Sequence, residues 1–212
     1  MPKHLTEEEL NNRANEKSKK RKAARDKMLA TKTVEKGLLI VHTGKGKGKS
    51  TAAFGLVTRA VGNQMRVGVV QFVKGKWETG ERHVLEKFPE QVDIRTMGEG
   101  FTWDTQDRAR DIAAAKAAWK VSKKMIDDAR GSSPKYDMIL LDELNIVLRY
   151  SYLPLEEVIK ELKRKPKDLH VIVTGRNARP ELIEIADLVT EMMQIKHPFR
   201  EQNVMAQKGI EF

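Results

Sequence analysis

The sequence predicts an α/β fold in which a mainly parallel sheet carries helices on both faces. Short apolar runs rich in valine, isoleucine and leucine have the length of buried strands, and they alternate with segments whose apolar residues recur at helical spacing. Glycine and proline fall between these segments, where the chain must turn. Strands that alternate with helices pair in parallel, because each crossover helix returns the chain to the same end of the sheet.

The predicted elements of the sheet begin after Gly37. "LLIVHT" (38–43) is a short apolar run that predicts a buried strand, and "STAAFGLVTRAVG" (50–62) has helical spacing and ends at a glycine. In chain order, the later elements are a strand at 66–73, a helix at 81–88, a strand at 91–97, a helix at 105–129, a strand at 136–143, helices at 144–150 and 154–165, a strand at 169–175, a helix from Pro180 and a strand at 188–192.

Residues 1–36 are predicted to form a basic helical arm in front of an α/β domain of residues 37–212. The arm has 11 Lys and Arg against 6 Asp and Glu, and the rest of the chain has 29 against 24, which together give the net charge of +10. Thr6 followed by Glu9 is a capping box, which predicts the start of a helix. The arm has too few apolar residues to bury a face by itself, so we expect it to extend from the body or to fold onto another surface.

The composition excludes several classes of protein. No apolar run has the length of a membrane-spanning helix, and "MPKHLTEEEL" (1–10) contains no apolar signal-peptide core. The absence of cysteine excludes disulfides, thiolate metal sites and a cysteine nucleophile, and it suits a reducing compartment. We therefore expect a cytoplasmic protein that does not bind a membrane.

The stretch "HTGKGKGKSTAAFG" (42–55) has the residues of a phosphate-binding loop. Glycines let successive backbone N–H groups curl around an anion, a lysine reaches the outer phosphates, and a hydroxyl binds Mg²⁺. A flexible basic linker is the alternative, and the predicted strand before the loop and helix after it argue against that alternative. The expected nucleotide-binding residues here are Gly44, Lys45, Gly46, Lys47, Gly48, Lys49, Ser50 and Thr51.

The loop departs from the usual G-x-x-x-x-G-K-[ST] motif in one respect. Thr43 stands where the motif has its first glycine, so the first glycine comes one residue late. Lys45 and Lys47 add positive charge along the loop. This charge indicates a strongly anionic ligand, such as a whole triphosphate.

Two further strand ends carry candidate site residues. Asp142 and Glu143 follow the buried run "MILL", where nucleotide-binding sheets place the carboxylates that bind Mg²⁺. The same pair is also typical of a helix N-terminus, and the sequence does not decide which carboxylate would bind the metal. Arg176 follows "VIVTG"; it fits a contact with nucleotide or substrate and equally an anchor for the next helix.

The segment "GEGFTWDTQ" (98–106) places Phe101 and Trp103 outside any regular apolar pattern. Such residues are often packing residues in front of a helix. An exposed platform for a flat ligand is the other interpretation, and the residues alone leave both open.

Several segments resemble, in order and spacing, the P-loop-type ATP:corrinoid adenosyltransferases. They are "TGKGKGKSTAAFG", "RAVGNQMRVGVVQFVKG", "GFTWDTQ", "LLDELNIVLRYSYLPLEEV", "VIVTGR", "ADLVTEM" and the ending "KHPF…AQKGIEF". The resemblance covers about residues 37–212. Within it, Lys45 stands where this family commonly has asparagine, and Ser50 where it commonly has threonine.

The resemblance implies a RecA-like P-loop fold and an enzyme that adenosylates corrinoids. Such an enzyme transfers the 5′-deoxyadenosyl group of ATP to the Co(I) centre of a reduced cobalamin, cobinamide or precursor, and it releases inorganic triphosphate. Lys47 and Lys49 would then be catalytic, because they would stabilise the departing triphosphate. Mg²⁺ would be the cofactor, bound by Ser50 with Asp142 or Glu143.

The same resemblance has implications for the corrinoid and for partners. Phe101 and Trp103 would lie against the lower face of the corrin and exclude its axial ligand. A homodimer is implied, with the basic arm covering an active site, and so is a flavoprotein as reductant.

Two other functions compete with this one. A hydrolytic P-loop ATPase or kinase would use Glu143 to position water or an acceptor hydroxyl, but it leaves "FTWDTQ" without a role. A nucleic-acid-binding protein would use the basic arm, yet the arm interleaves glutamates with its lysines and lacks aromatic residues for stacking. We expect no nucleic-acid partner.

Overall fold

The computed structural model describes residues 5–73, 79–98 and 107–211. The chain divides into two compact units, Met1–Glu35 and Lys36–Phe212. The first unit contains helix α1 (Glu7–Leu29), which begins with the predicted capping box: the Thr6 side chain accepts from Glu9 N, and the Glu9 side chain accepts from Thr6 N. No residue of α1 is buried.

The second unit alternates strands and helices. The strands are β1 (Leu39–Thr43), β2 (Val67–Gln71), β3 (Val92–Thr96), β4 (Met138–Asp142), β5 (His170–Thr174) and β6 (Leu188–Glu191). The helices are α2 (Lys49–Gly62), α3 (Gly80–Leu85), α4 (Arg108–Asp128), α5 (Leu144–Arg149), α6 (Leu155–Lys163), α7 (Pro180–Ile185) and α8 (Pro198–Gln202).

Each strand and helix predicted from the sequence is present, with ends that differ by a few residues. The sequence does not predict α8, because its 5 residues are too few to show a helical pattern. None of the helices within the described ranges has the length and apolar character needed to span a bilayer.

The six strands form one parallel sheet in the order β3-β2-β4-β5-β1-β6. The predicted α/β class and parallel sheet are therefore confirmed. β5 lies between β1 and β4, so one strand separates the strand before the glycine-lysine loop from the strand that ends in Asp142, as in RecA-like folds. The carboxyl ends of all these strands lie along one rim, where such sheets bind ligands.

Two apolar clusters lie on opposite faces of the sheet. Leu39 and Val41 of β1 belong to one cluster and Ile40 to the other, which is the period of two expected of a strand. α2 contributes Phe54 to the second cluster, and α4 contributes Trp119 to the first. Helices thus cover both faces, as predicted, whereas β6 at the edge is exposed along its length.

Candidate active site

Four buried polar side chains end strands at the same rim of the sheet. They are Thr43 of β1, Gln71 of β2, Asp142 of β4 and Thr174 of β5. Buried polar groups are costly unless they are hydrogen-bonded. Thr174 Oγ1 donates to Asp142 Oδ1 at 2.8 Å, Gln71 Nε2 donates to Asp142 Oδ2 at 3.3 Å, and Thr43 Oγ1 accepts from Ala178 N at 3.0 Å. These hydrogen bonds hold the four side chains in fixed orientations at the base of the site.

The loop between β1 and α2 needs its glycines for two reasons. Gly44 and Gly48 both have φ of +99°, a backbone conformation that glycine adopts without strain. Gly44 and Gly46 also pack against the chain after β6, because a Cβ would lie 2.4 Å from Met192 O at Gly44 and 2.7 Å from the same oxygen at Gly46. Gly46 N donates to Met192 O at 2.6 Å, so this N–H points at the protein and not into the loop. Packing against Met192 accounts for the glycines at 44 and 46.

Lys49 is the first residue of α2, and its side chain lies inside the loop. The side chain is buried, and Nζ donates to Gly46 O. Burial lowers the pKa of the Lys49 amine, and the negative charge of Glu143 opposes this effect. His42 Nδ1 lies 3.2 Å from Lys49 O, so this histidine contacts the first turn of α2. The Lys49 amine is therefore held where it can neutralise an anion.

Ser50 and Asp142 are brought together, as a metal site requires. Ser50 Oγ donates to Asp142 Oδ1 at 2.7 Å. Glu143 is the N-cap residue of α5 with φ of +64°, and its backbone N–H donates to Thr174 Oγ1 at 2.9 Å. In phosphate sites Mg²⁺ takes few protein oxygens and completes its shell with water and phosphate. One hydroxyl and one carboxylate fit that requirement, and the carboxylate in contact with Ser50 is that of Asp142.

The remaining predicted residues of the loop are exposed. Lys45, Lys47 and Thr51 all face solvent. Lys47 Nζ forms an ion pair with Glu211 near the end of the chain. The loop thus has one buried lysine and two exposed ones.

Arg176 lies just beyond the end of β5 and is exposed. Its positive charge contributes to the lowered pKa of Lys49, so the guanidinium lies near the loop. This proximity favours the predicted contact with nucleotide. Phe101 and Trp103 lie outside the described residues.

Residues 35–212 match the model of one protein family, described as ATP:corrinoid adenosyltransferase BtuR/CobO/CobP. The chain belongs to this family. A corrinoid adenosyltransferase from a Sinorhizobium species is 57% identical over 198 residues, which cover 92% of this chain and 90% of that protein. A corrinoid adenosyltransferase from Pseudomonas aeruginosa is 50% identical over 204 residues, which cover 96% and 98%. Among solved structures, the flagellar accessory protein FlaH from Methanocaldococcus jannaschii is similar over 76% of this chain and 73% of that one. The TM-score is 0.41 and the sequence identity 12%, so this similarity carries no information on function.

Three residues at the site of this chain are not predicted by the sequence. Gln71 is the only polar residue of β2, which is a signal that could have found it. Asn145 is fully buried in α5, and its Nδ2 donates to Gly175 O at 3.1 Å. Met192 acts through its backbone carbonyl, so no side-chain pattern marks it.

Proposed function

We propose that this chain transfers the 5′-deoxyadenosyl group of ATP to the Co(I) centre of a reduced corrinoid and releases inorganic triphosphate. The electron pair of Co(I) forms the cobalt–carbon bond to C5′, and the C5′–O5′ bond breaks with its electron pair leaving on the triphosphate. The observation that carries the proposal is the buried Lys49 beside the Ser50–Asp142 pair, in a chain that matches the adenosyltransferase family over residues 35–212.

The protein contributes to this reaction by binding the nucleotide, aligning it and stabilising the negative charge of the leaving triphosphate. We assign ATP binding to residues 44–51 and to Arg176. Lys49 stabilises the negative charge that grows on the departing triphosphate, and Lys47 joins it after exchanging Glu211 for a phosphate. Alignment of cobalt, C5′ and the leaving oxygen then supplies much of the acceleration. The cobalt is the nucleophile, so the reaction needs no nucleophilic side chain.

The family chemistry implies Mg²⁺, and the residues beside the loop fit this ion. Ser50 and Asp142 would hold it, with Glu143 next to them. When bound, Mg²⁺ neutralises negative charge on the triphosphate. The protein orients its own oxygens through the hydrogen bond of Thr174 to Asp142, which is already made.

We assign the corrinoid to Phe101 and Trp103, by the resemblance alone. These rings would cover the lower face of the corrin and keep its axial ligand away from cobalt, which makes Co(II) easier to reduce. Phe101→Ala should therefore raise the KM for corrinoid and leave the Kd for ATP unchanged. An equal loss of affinity for ATP would contradict the assignment.

We also propose a homodimer that works in the cytoplasm and receives reduced corrinoid from a flavoprotein. The support for the dimer from the structure is α1, on which no residue is buried. In a dimer the basic arm of residues 1–36 would cover an active site of the partner. Light scattering on the full chain measures the mass directly, and a monomer at working concentration would refute the dimer.

The decisive experiment on the reaction is anaerobic. The protein is mixed with ATP, Mg²⁺ and chemically reduced cob(I)alamin, and the visible spectrum and the phosphate products are recorded. We expect a light-sensitive adenosylcorrinoid and one triphosphate per turnover. ADP and phosphate with no change in the corrinoid would show an ordinary hydrolase instead.

A further inference from the structure

We propose that Gln71 is a positioning residue that couples the binding of ATP to the binding of the corrinoid. The inference rests on the proposed function, because it needs a phosphate side and a corrinoid side of one site. Gln71 ends β2, which lies between β4 and β3 in the sheet, and its side chain is buried. It acts through the residues on either side of it.

The amide of Gln71 bridges these two neighbouring strands. Nε2 donates to Asp142 Oδ2 on β4 at 3.3 Å, and Oε1 accepts from Thr96 Oγ1 on β3 at 3.0 Å. Gln71 is also in register with Asp142 on one side and with Thr96 on the other. An amide has one donor end and one acceptor end, so a half-turn of the side chain would break both bonds. Asp142 and Thr96 therefore set the orientation of Gln71 jointly.

Asp142 connects Gln71 to the phosphate side of the site. Its other oxygen, Oδ1, accepts from Ser50 Oγ at 2.7 Å and from Thr174 Oγ1 at 2.8 Å. With a nucleotide and its cation in the loop, Ser50 Oγ would bind the cation and would no longer donate to Asp142 Oδ1. The loss of this donor would change the strength of the Asp142 carboxylate as an acceptor, and with it the hydrogen bond from Gln71 to Oδ2.

Thr96 connects Gln71 to the other side. It is the last residue of β3, and its Oγ1 also accepts from Arg82 Nη1 on α3 at 3.2 Å. One threonine hydroxyl thus joins β2, β3 and α3. A change in the orientation of Gln71 is passed on to the end of β3.

The backbone carries this change beyond β3. A Cβ on Gly98 would lie 2.6 Å from the carbonyl carbon of Val73, so the chains leaving β2 and β3 are in close backbone contact. Phe101, assigned above to the corrinoid, follows Gly98 closely in the sequence. Gly98, the last residue described before that segment, is thus held in backbone contact with the chain that leaves β2.

The test compares Gln71→Leu with a matched control, Gln91→Leu. Leucine approximates the size of glutamine and removes both hydrogen bonds of Gln71. Gln91 is a half-buried glutamine, whose Nε2 donates to Val61 O at 3.0 Å and to Met65 O at 3.3 Å, away from the site. Replacing Gln91 removes these two hydrogen bonds and leaves the hydrogen bonds of Gln71 with Asp142 and Thr96 intact.

The measurement is the coupling factor between the two ligands. The Kd of ATP is measured with and without saturating cob(II)alamin, which does not react in the absence of a reductant, and the Kd of cob(II)alamin with and without ATP. The two ratios must be equal, because binding linkage is reciprocal. We expect Gln71→Leu to lower this factor at least about fivefold, and Gln91→Leu to leave it unchanged.

Variants of Thr96 distinguish the loss of the Gln71 hydrogen bonds from a general loss of structure. Thr96→Val keeps the shape of the side chain but removes the hydroxyl, and it should lower the coupling factor as much as Gln71→Leu, with no further loss in the double variant. Thr96→Ser, which keeps the hydroxyl, should restore the coupling.

The possible outcomes separate this inference from the proposed function. Unchanged coupling in Gln71→Leu, or an equal loss in Gln91→Leu, overturns the role of Gln71 while the adenosyl transfer stands. A wild-type protein that binds ATP and no corrinoid overturns the proposed function, and the inference falls with it.

Discussion

Gly44→Ala tests whether the phosphate loop is held in place by the chain that follows β6. The new Cβ would lie 2.4 Å from Met192 O and 2.7 Å from Met192 N, both far inside van der Waals contact. The φ of +99° adds a backbone strain of about 1–2 kcal/mol for alanine. Displacing the neighbouring backbone adds about 1–3 kcal/mol. We therefore expect the free energy of unfolding to fall by about 2–5 kcal/mol.

Two other glycines separate the strain from the collision. Gly131 has a similar φ of +87°, and a Cβ there meets nothing within 4 Å, so Gly131→Ala should lose only about 1–2 kcal/mol. Gly55 lies inside α2 with the same open space and no positive φ. Gly55→Ala should therefore stabilise the protein by about 0.5–1 kcal/mol.

Urea unfolding followed by circular dichroism, together with calorimetric titration of ATP, measures these effects. The difference between Gly44→Ala and Gly131→Ala isolates the collision with Met192 and corresponds to about 2–12 °C in Tm for a chain of this size. ATP binding to folded Gly44→Ala should also be weakened, because the contact between Gly46 and Met192 shapes the loop. Equal losses of stability in Gly44→Ala and Gly131→Ala would refute the packing reason for a glycine at 44.

Three further predictions concern the loop and the edge of the sheet. Lys49→Met should lower kcat/KM about 10²–10³-fold in the anaerobic assay, because a preorganised cation is lost, and a change of less than about twofold would remove Lys49 from the mechanism. Ser50→Ala should raise the Mg²⁺ concentration for half-maximal activity about tenfold or more, whereas Ser50→Thr keeps the hydroxyl and should leave it unchanged. A Mg²⁺ titration in which Ser50→Ala matches the wild type would exclude Ser50 as a ligand. The Asp187 carboxylate accepts from Lys36 Nζ and from the first backbone N–H of β1, and these bonds lower its pKa. A carboxyl whose pKa is lowered by folding contributes stability above its unfolded pKa and loses it as the pH falls through the folded pKa. Asp187→Asn should therefore lower the free energy of unfolding by about 1 kcal/mol at pH 7. Below about pH 4 the free energy of unfolding, measured with urea, should fall less steeply with pH in this variant than in the wild type, and a steeper fall would contradict this.

The sequence predicts elements whose signals are local and leaves out contacts between distant parts of the chain. The loop before Lys49 is predicted because its strand, glycines and helix are consecutive. The contact of Gly46 with Met192 is not predictable in this way, since it depends on β6 pairing with β1. Gln71 stands out only as one polar residue in an apolar strand, and its importance appears when β2 is seen between β3 and β4.

The choice between Asp142 and Glu143 shows the same limit at the level of single atoms. Adjacent residues at the end of a strand point to opposite sides, so the order of the two carboxylates does not say which one faces the loop. The structure separates them through the backbone: Glu143 has φ of +64° and donates its N–H to Thr174, and Asp142 stays in the strand with Ser50 on its Oδ1. Glu143 instead acts on the Lys49 amine through its charge, opposing the effect of burial on the pKa of that amine. Asp142 thus orients the Ser50 hydroxyl that we propose as a metal ligand, and Glu143 favours the charged form of Lys49, which we propose to stabilise the triphosphate.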